Sequence, residues 1–309
     1  MAIIEFIKRI FSMLIALILS IFGIKAPAQE PIMKDNYYES TKTGTVLEQK
    51  YTYPGEYSVL DFEVNSDNES IKKYYIAYPE KPGAYPAVII VNASNCTATE
   101  YKPYYKHLAS WGFVVIGNDA PQTGTGETTS ITLDYLLSCN DDKNSPIYKK
   151  VDTDRIGING SSQGASGALK AATDFENSNK IKSVYTGSLP FPELSTNMGW
   201  KYDITKLNAP IFMTAGTAHS DAGGGLVDFG VCPLEFMIEN YNLIPDGVKK
   251  VMGRITGAEH TDMFTEPDGY MTAWMLYTLK EDTDAEKVFD GANADILSNS
   301  KWQDIKIDL

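Results

Sequence analysis

"RIGINGSSQGASGAL" (residues 155–169) sets a short apolar run against glycines and serines, then opens into a stretch of small residues with helical character. Gly160-Ser161-Ser162-Gln163-Gly164 matches GxSxG, and its surroundings read as strand, very tight turn and helix, the context that motif requires. Such a turn leaves no room for bulk two residues before or after its central serine. Gly160 and Gly164 meet that condition, and Ala165 and Ala168 continue the small-residue face. The turn would hold the hydroxyl of Ser162 at the carboxyl edge of a sheet, beside a helix N-terminus whose dipole and free N–H groups stabilise developing negative charge. Ser162 is the candidate nucleophile, with a purely structural turn as the competing reading.

Outward from this stretch, β-type and helical runs alternate. Strands are expected at 45–53, 57–64, 71–78, 86–92, 113–118, 155–159, 182–188, 210–216 and 249–255, and helices at 100–110, 128–139, 162–174, 232–242 and 269–280. Several strands are continuous apolar runs, as expected where helices cover both faces of a parallel sheet. The order predicts an α/β fold: a doubly wound, mostly parallel sheet with helices on both faces and an antiparallel start.

A serine nucleophile needs a base, and the chain has three histidines. His107 falls on a helix leading into a strand, where a packed or surface histidine is the better reading. His219 follows the strand "PIFMTAG" too closely to close a Ser, acid, His order. His260, in "ITGAEHTDMF" after the last apolar strand, is where the final member of such an order belongs. The acid that orients the imidazole should come from the loop "TAHSDAGGGLVDFG", which offers Asp221 and Asp228; Asp221, nearer the strand end, is preferred. Two N–H donors for an oxyanion are expected from Gln163, directly after the nucleophile, and from the loop "NASNCTATE", with Ser94 the choice and Ala93 and Asn95 beside it. "TGTGET" at 123–128 lacks the Gly-Lys-Ser/Thr ending of a phosphate loop and reads as a flexible rim.

Composition bounds the partners. The 309 residues are 43% hydrophobic, enough for one large core, and the net charge of −13 disfavours nucleic acid. The first residues stand apart: Lys8 and Arg9 precede an apolar run from Ile10 to Ile24 and then Ala26-Pro27-Ala28. That run of about 15 residues is short of the roughly 20 that span a bilayer. It predicts a signal peptide over 1–28, or an N-terminal anchor as the one route to a membrane, with residues 29–309 as a single domain. Cleavage there would remove Lys8, Arg9, Lys25 and Glu5 and leave −15. Cys96, Cys139 and Cys232 have no paired metal-ligand spacing and allow either one bridge, best between Cys96 and Cys232, or three buried thiols. No metal or cofactor is called for.

These residues resemble a known group. "PAVIIVNASNCTATEYKPYYKHLASWGFVVIGND" is similar to the oxyanion loop, helix and strand of bacterial cutinases and polyester (PET) hydrolases, and "DTDRIGINGSSQGASGAL" resembles the nucleophile region of dienelactone-hydrolase-like α/β-hydrolases. The likeness covers roughly residues 70–280. It implies an α/β-hydrolase fold and carboxylic-ester hydrolysis, with Ser162 as nucleophile, His260 as base and Asp221 as orienting acid; together with the N-terminal signal the expectation is an exported esterase acting on a small-molecule or lipid-like ester. Ser94 falls where those enzymes carry an aromatic oxyanion residue, and Gln163 where polyester hydrolases usually carry methionine. The segment 189–208 could line an acyl pocket through Phe191 or Trp200. A catalytically dead hydrolase fold used for binding is the competing class; such a scaffold has no need of serine, acid and histidine together.

Overall fold

Side chains of consecutive strand residues point to opposite faces of a sheet, and the apolar strands here fill both. In the computed structural model, which describes residues 33–224 and 229–309, Ala87, Ile89, Val114, Ile116, Ile156, Ile158, Ile211 and Met213 pack into one core. Their neighbours Val88, Val115 and Phe212 pack into a second core on the other face. The segment 1–28 and Asp228 lie outside the described residues.

In chain order the elements are α1 (Val46–Thr52), β1 (Val59–Asn65), β2 (Lys73–Pro79), β3 (Tyr85–Val91), α2 (Lys102–Ser110), β4 (Val114–Asn118), α3 (Glu127–Asp141), β5 (Val151–Ser161) and α4 (Gln163–Thr173). There follow β6 (Ile181–Gly187), α5 (Pro192–Asn197), β7 (Ile211–Gly216), α6 (His219–Ala222), α7 (Leu234–Leu243), β8 (Lys250–Ile255), α8 (Asp268–Lys280), α9 (Thr283–Glu286), α10 (Asp295–Ser298) and β9 (Trp302–Asp308). The sheet order is β1-β2-β4-β3-β5-β6-β7-β8-β9. From β4 to β8 all neighbours are parallel; β2 and β9 run against them, and β1 pairs antiparallel with β2 at the edge. The predicted architecture is the observed one. Leu133, Leu136, Ala165, Leu169 and Met237, from α3, α4 and α7, cover one face, while Tyr105 and Leu108 of α2 and the whole of α8 cover the other.

Two departures from expectation lie at the ends of the chain. Residues 45–53, read as a strand, form α1. Thr45 caps it by accepting a hydrogen bond from the Glu48 N–H, and Tyr51 and Thr52 are buried against the fold. The β-branched and aromatic residues of "TVLEQKYTY" favour a strand, and the cap together with tertiary docking overrides that preference. Gly269 of α8 lies so close to α1 that a Cβ there would sit 2.4 Å from the Glu48 carbonyl oxygen. The second departure is β9, an unanticipated edge strand of mixed polarity that pairs with β8.

Both ends meet at the carboxylate of Glu48, which is fully buried. It accepts hydrogen bonds from the Trp302 indole N–H (2.8 Å), the Asn299 side-chain amide (2.9 Å) and the Gly44 N–H (2.5 Å), with the Lys301 ammonium 3.5 Å away. Removing an acceptor from such a site strands its donors without water. Glu48→Ala is therefore expected to destabilise the fold by about 3 kcal/mol, measured as a lowered urea midpoint with an unchanged slope.

Candidate active site

The carboxyl ends of β3, β5, β6, β7 and β8 lie side by side along one edge of the sheet, and each releases a loop bearing a residue singled out above or one of its partners. β5 ends at Ser161 and α4 begins at Gln163, so Ser162 alone makes the turn. Its φ of 57° and ψ of −127° fall in a region that side-chain-bearing residues avoid. A Cβ on Gly160 would meet the Gly164 carbonyl oxygen at 2.2 Å, and one on Gly164 would meet the Val91 carbonyl oxygen at 2.2 Å. Both glycines are thus required by close backbone approach. The strained turn is held by hydrogen bonds from the Ser162 N–H to Gly187 (2.8 Å) and from the Ala165 N–H to the Ser162 carbonyl (2.9 Å).

Asp221 and His260 are in direct contact. His260 Nδ1 lies 2.7 Å from Asp221 Oδ1; the carboxylate is wholly buried and the imidazole keeps 21% of its side-chain surface exposed. The other carboxylate oxygen accepts from the Ser188 hydroxyl (2.5 Å) and the Gly216 N–H (2.7 Å), so Asp221 is satisfied by three donors. Nδ1 carries the proton in this arrangement, since the carboxylate only accepts. Ser188 follows Gly187, whose carbonyl holds the Ser162 N–H, so the nucleophile turn and the acid segment are fastened to successive residues at the end of β6.

The expected oxyanion donors sit on the elements foreseen. Gln163 opens α4, where first-turn N–H groups have no partner within the helix. Its side chain turns away into the fold, donating to Gln122 Oε1 (2.6 Å) and accepting from the Thr123 N–H (3.4 Å). Ser94 is exposed in a tight turn after β3, in which Cys96 N–H bonds the Ala93 carbonyl (3.1 Å) and Asn95 takes a φ of 59°. Asn92 anchors that turn by donating to the Asn118 (2.6 Å) and Ala120 (3.0 Å) carbonyls.

Other candidates take structural places. His107 is buried, with Nε2 3.1 Å from the Tyr53 carbonyl oxygen and Nδ1 3.4 Å from Asp268. His219 is exposed at the start of α6. Phe191 stacks on Phe236 of α7 at 4.9 Å, and Trp200 lies over Gly124 of the rim segment. Cys96 and Cys232 are not bridged. The Cys96 thiol lies 3.3 Å from the Tyr101 hydroxyl, whereas Cys232 sits in the apolar core, where burial pushes its thiol well above the usual range and leaves it unreactive. The loops carrying the two cysteines do flank the same sheet edge, but neither thiol is drawn toward the other.

Sequence reasoning missed Ser188, Ser220 and Glu259. Ser188 supports Asp221, and Ser220 and Glu259 link the acid and histidine loops. All three are polar residues of loops or of the single turn α6, and their partners are distant in sequence, so no local pattern marks them.

The sheet order, the single-residue turn after β5 and the helices on both faces define an α/β-hydrolase fold. The chain belongs to the PET hydrolase-like family, which it matches over residues 38–303. Among characterised proteins it is 26% identical to cutinase est2 of Thermobifida alba over 216 residues, 67% of this chain and 64% of that one. It is 24% identical to cutinase est1 of the same organism (67% and 65%) and 23% identical to cutinase 2 of Thermobifida cellulosilytica (67% and 74%). The match thus spans just under two thirds of the length of the two Thermobifida alba cutinases.

Proposed function

We propose that the protein is a serine carboxylic-ester hydrolase working through Ser162, His260 and Asp221. The observation that carries this reading is the 2.7 Å contact between His260 Nδ1 and the buried Asp221, on the sheet edge that also bears the strained Ser162. Ser162 Oγ attacks the ester carbonyl carbon while His260 Nε2 accepts its proton, and Asp221 holds Nδ1–H and stabilises the imidazolium. The carbonyl oxygen, now an oxyanion, is met by the N–H groups of Gln163 and Ser94. Collapse expels the alcohol, which leaves with the proton from His260, and an acyl group remains on Ser162. Water, deprotonated by His260, then attacks the acyl carbon and frees the acid and the serine.

The substrate class is a neutral small-molecule or lipid-like ester, since the chain is strongly acidic and would repel an anionic one. Membership of the PET hydrolase-like family favours a second reading, in which the ester belongs to a polyester. The N-terminal sequence supports export to the cell envelope or beyond it.

A fluorophosphonate tests the nucleophile directly. Incubation should add one phosphonyl group and abolish turnover of p-nitrophenyl acetate, with the mass increase on the peptide containing Ser162. Labelling of another serine, with activity lost, would discard the assignment. Release of soluble acid from a polyester film, set beside rates on p-nitrophenyl esters of increasing acyl length, separates the two substrate readings.

A further inference from the structure

Asp221 and His260 come from two different loops, and a hydrogen bond between such loops is only as well aimed as the loops are well joined. The ladder between β7 and β8 ends at Gly216 and Ile255. Backbone pairing continues a little further, with the Thr217 N–H on the Ile255 carbonyl (3.1 Å) and the Ala218 N–H on the Ala258 carbonyl (3.0 Å), and the Thr217 hydroxyl accepts from the Gly257 N–H (2.8 Å) between them. Gly216 permits this approach, because a Cβ there would lie 2.1 Å from the Ala258 carbonyl oxygen.

Past Ala218 and Ala258 the backbones no longer pair directly, and two side chains take over. Glu259 Oε2 accepts from the Ser220 N–H (3.1 Å) and from the Ser220 hydroxyl. The same hydroxyl oxygen accepts from the His260 N–H (2.7 Å). Ser220 immediately precedes Asp221, and Glu259 immediately precedes His260. Glu259 is itself fixed at the start of the 3-10 turn His260–Phe264, where its N–H donates to the Asp262 carboxylate (2.9 Å) and its backbone carbonyl accepts from the Asp262 N–H (2.9 Å). The two hydrogen bonds from Ser220 hold the Glu259 carboxyl below the usual carboxylate range, so it remains an ionised acceptor in mild acid.

We propose that Ser220 and Glu259 are positioning residues: a clasp that joins the peptide units next to Asp221 and His260 and so aims the imidazole. The clasp rests on the reading of Asp221 and His260 as acid and base. Both residues are exposed, where such contacts add little to stability, so the clasp acts on alignment more than on folding. Catalytic geometry tolerates displacements of only about 0.5 Å, so a loosened loop pair shows in kcat before it shows in melting temperature.

The test compares Ser220→Ala, Glu259→Ala, Glu259→Gln and the double alanine variant. Each alanine variant should lower kcat for p-nitrophenyl acetate about tenfold with KM within about twofold and the melting temperature within about 2 °C. Glu259→Gln, which keeps an oxygen acceptor, should recover most of the loss. The double variant should be no slower than either single one, because both remove the same linkage. The downfield proton resonance of His260 Nδ1–H should broaden in the alanine variants, a readout independent of turnover. Wild-type kcat with an unaltered resonance in both single alanine variants would overturn the proposal. So would losses that follow melting temperature and are not rescued by glutamine. If His260→Ala retained full activity, the acid and base reading would fail instead, whatever the resonance did.

Discussion

Replacing Ser162 by alanine is expected to lower kcat for p-nitrophenyl acetate by about a million-fold, to a residue of activity set by binding and oxyanion contacts alone. The size follows from what is removed. Without the hydroxyl no acyl-enzyme forms, and His260 and Asp221 have no group to activate, so their contributions vanish with it. Alanine keeps the Cβ, so the turn at φ 57° and ψ −127° stays strained and the fold should be neither helped nor harmed. Glycine provides the contrast. Ser162→Gly should be equally inactive yet more stable by about 1 kcal/mol, because glycine adopts this backbone without steric cost. Stopped assays of nitrophenol release over hours, with urea unfolding of all three proteins, check both halves. Activity in the alanine variant within tenfold of wild type would remove Ser162 from the chemistry.

Asp221→Asn should cost roughly ten-thousand-fold in kcat near neutral pH. The Asp221 carboxylate only accepts, from His260, Ser188 and Gly216, and it thereby fixes the proton on Nδ1 and leaves Nε2 free to take another. An amide in its place can present N–H toward the imidazole, which reverses the tautomer and puts the proton on the nitrogen that must act as base. Three donors converging on one buried carboxylate also make the site intolerant of an amide NH2, so some loss of stability should accompany the loss of rate. Asp228→Asn is the control and should retain wild-type kcat. The reverse result, with Asp228→Asn inactive and Asp221→Asn active, would transfer the role of orienting acid to Asp228.

The central strands were legible because their sequences leave few alternatives. "PAVIIVN" and "FVVIGN" are too short and too apolar for surface helices, and they became β3 and β4 with boundaries displaced by a residue at most. The strand expected at 155–159 extends in both directions, over Val151–Ser161: Tyr85 of β3 pairs with Val151, and Thr186 and Gly187 of β6 pair with Gly160 and Ser161, beyond the apolar run that marks the strand. Residues 45–53 misled because their β-branched and aromatic residues outweighed the helical spacing that places Glu48, Tyr51 and Thr52 on one side, and the seat beside α8 that decides between the two is formed by residues more than 200 positions away. In the site, chain order put an acid after β7 and a histidine after β8, and Asp221 and His260 are the pair that meets. Ser188, Ser220 and Glu259 carried no such signal, since a serine or glutamate in a loop acquires its meaning only from the strand that lies alongside.

The buried seat of Glu48 has a bearing on biosynthesis. Its donors Asn299 and Trp302 follow it in the chain by 251 and 254 positions. During translation this helix lacks its seat until Gly269, Asn299 and Trp302 have emerged, and an isolated helix of seven residues is too short to persist in water. The seat of α1 is therefore completed only when Trp302 of β9, 254 positions later, has left the ribosome.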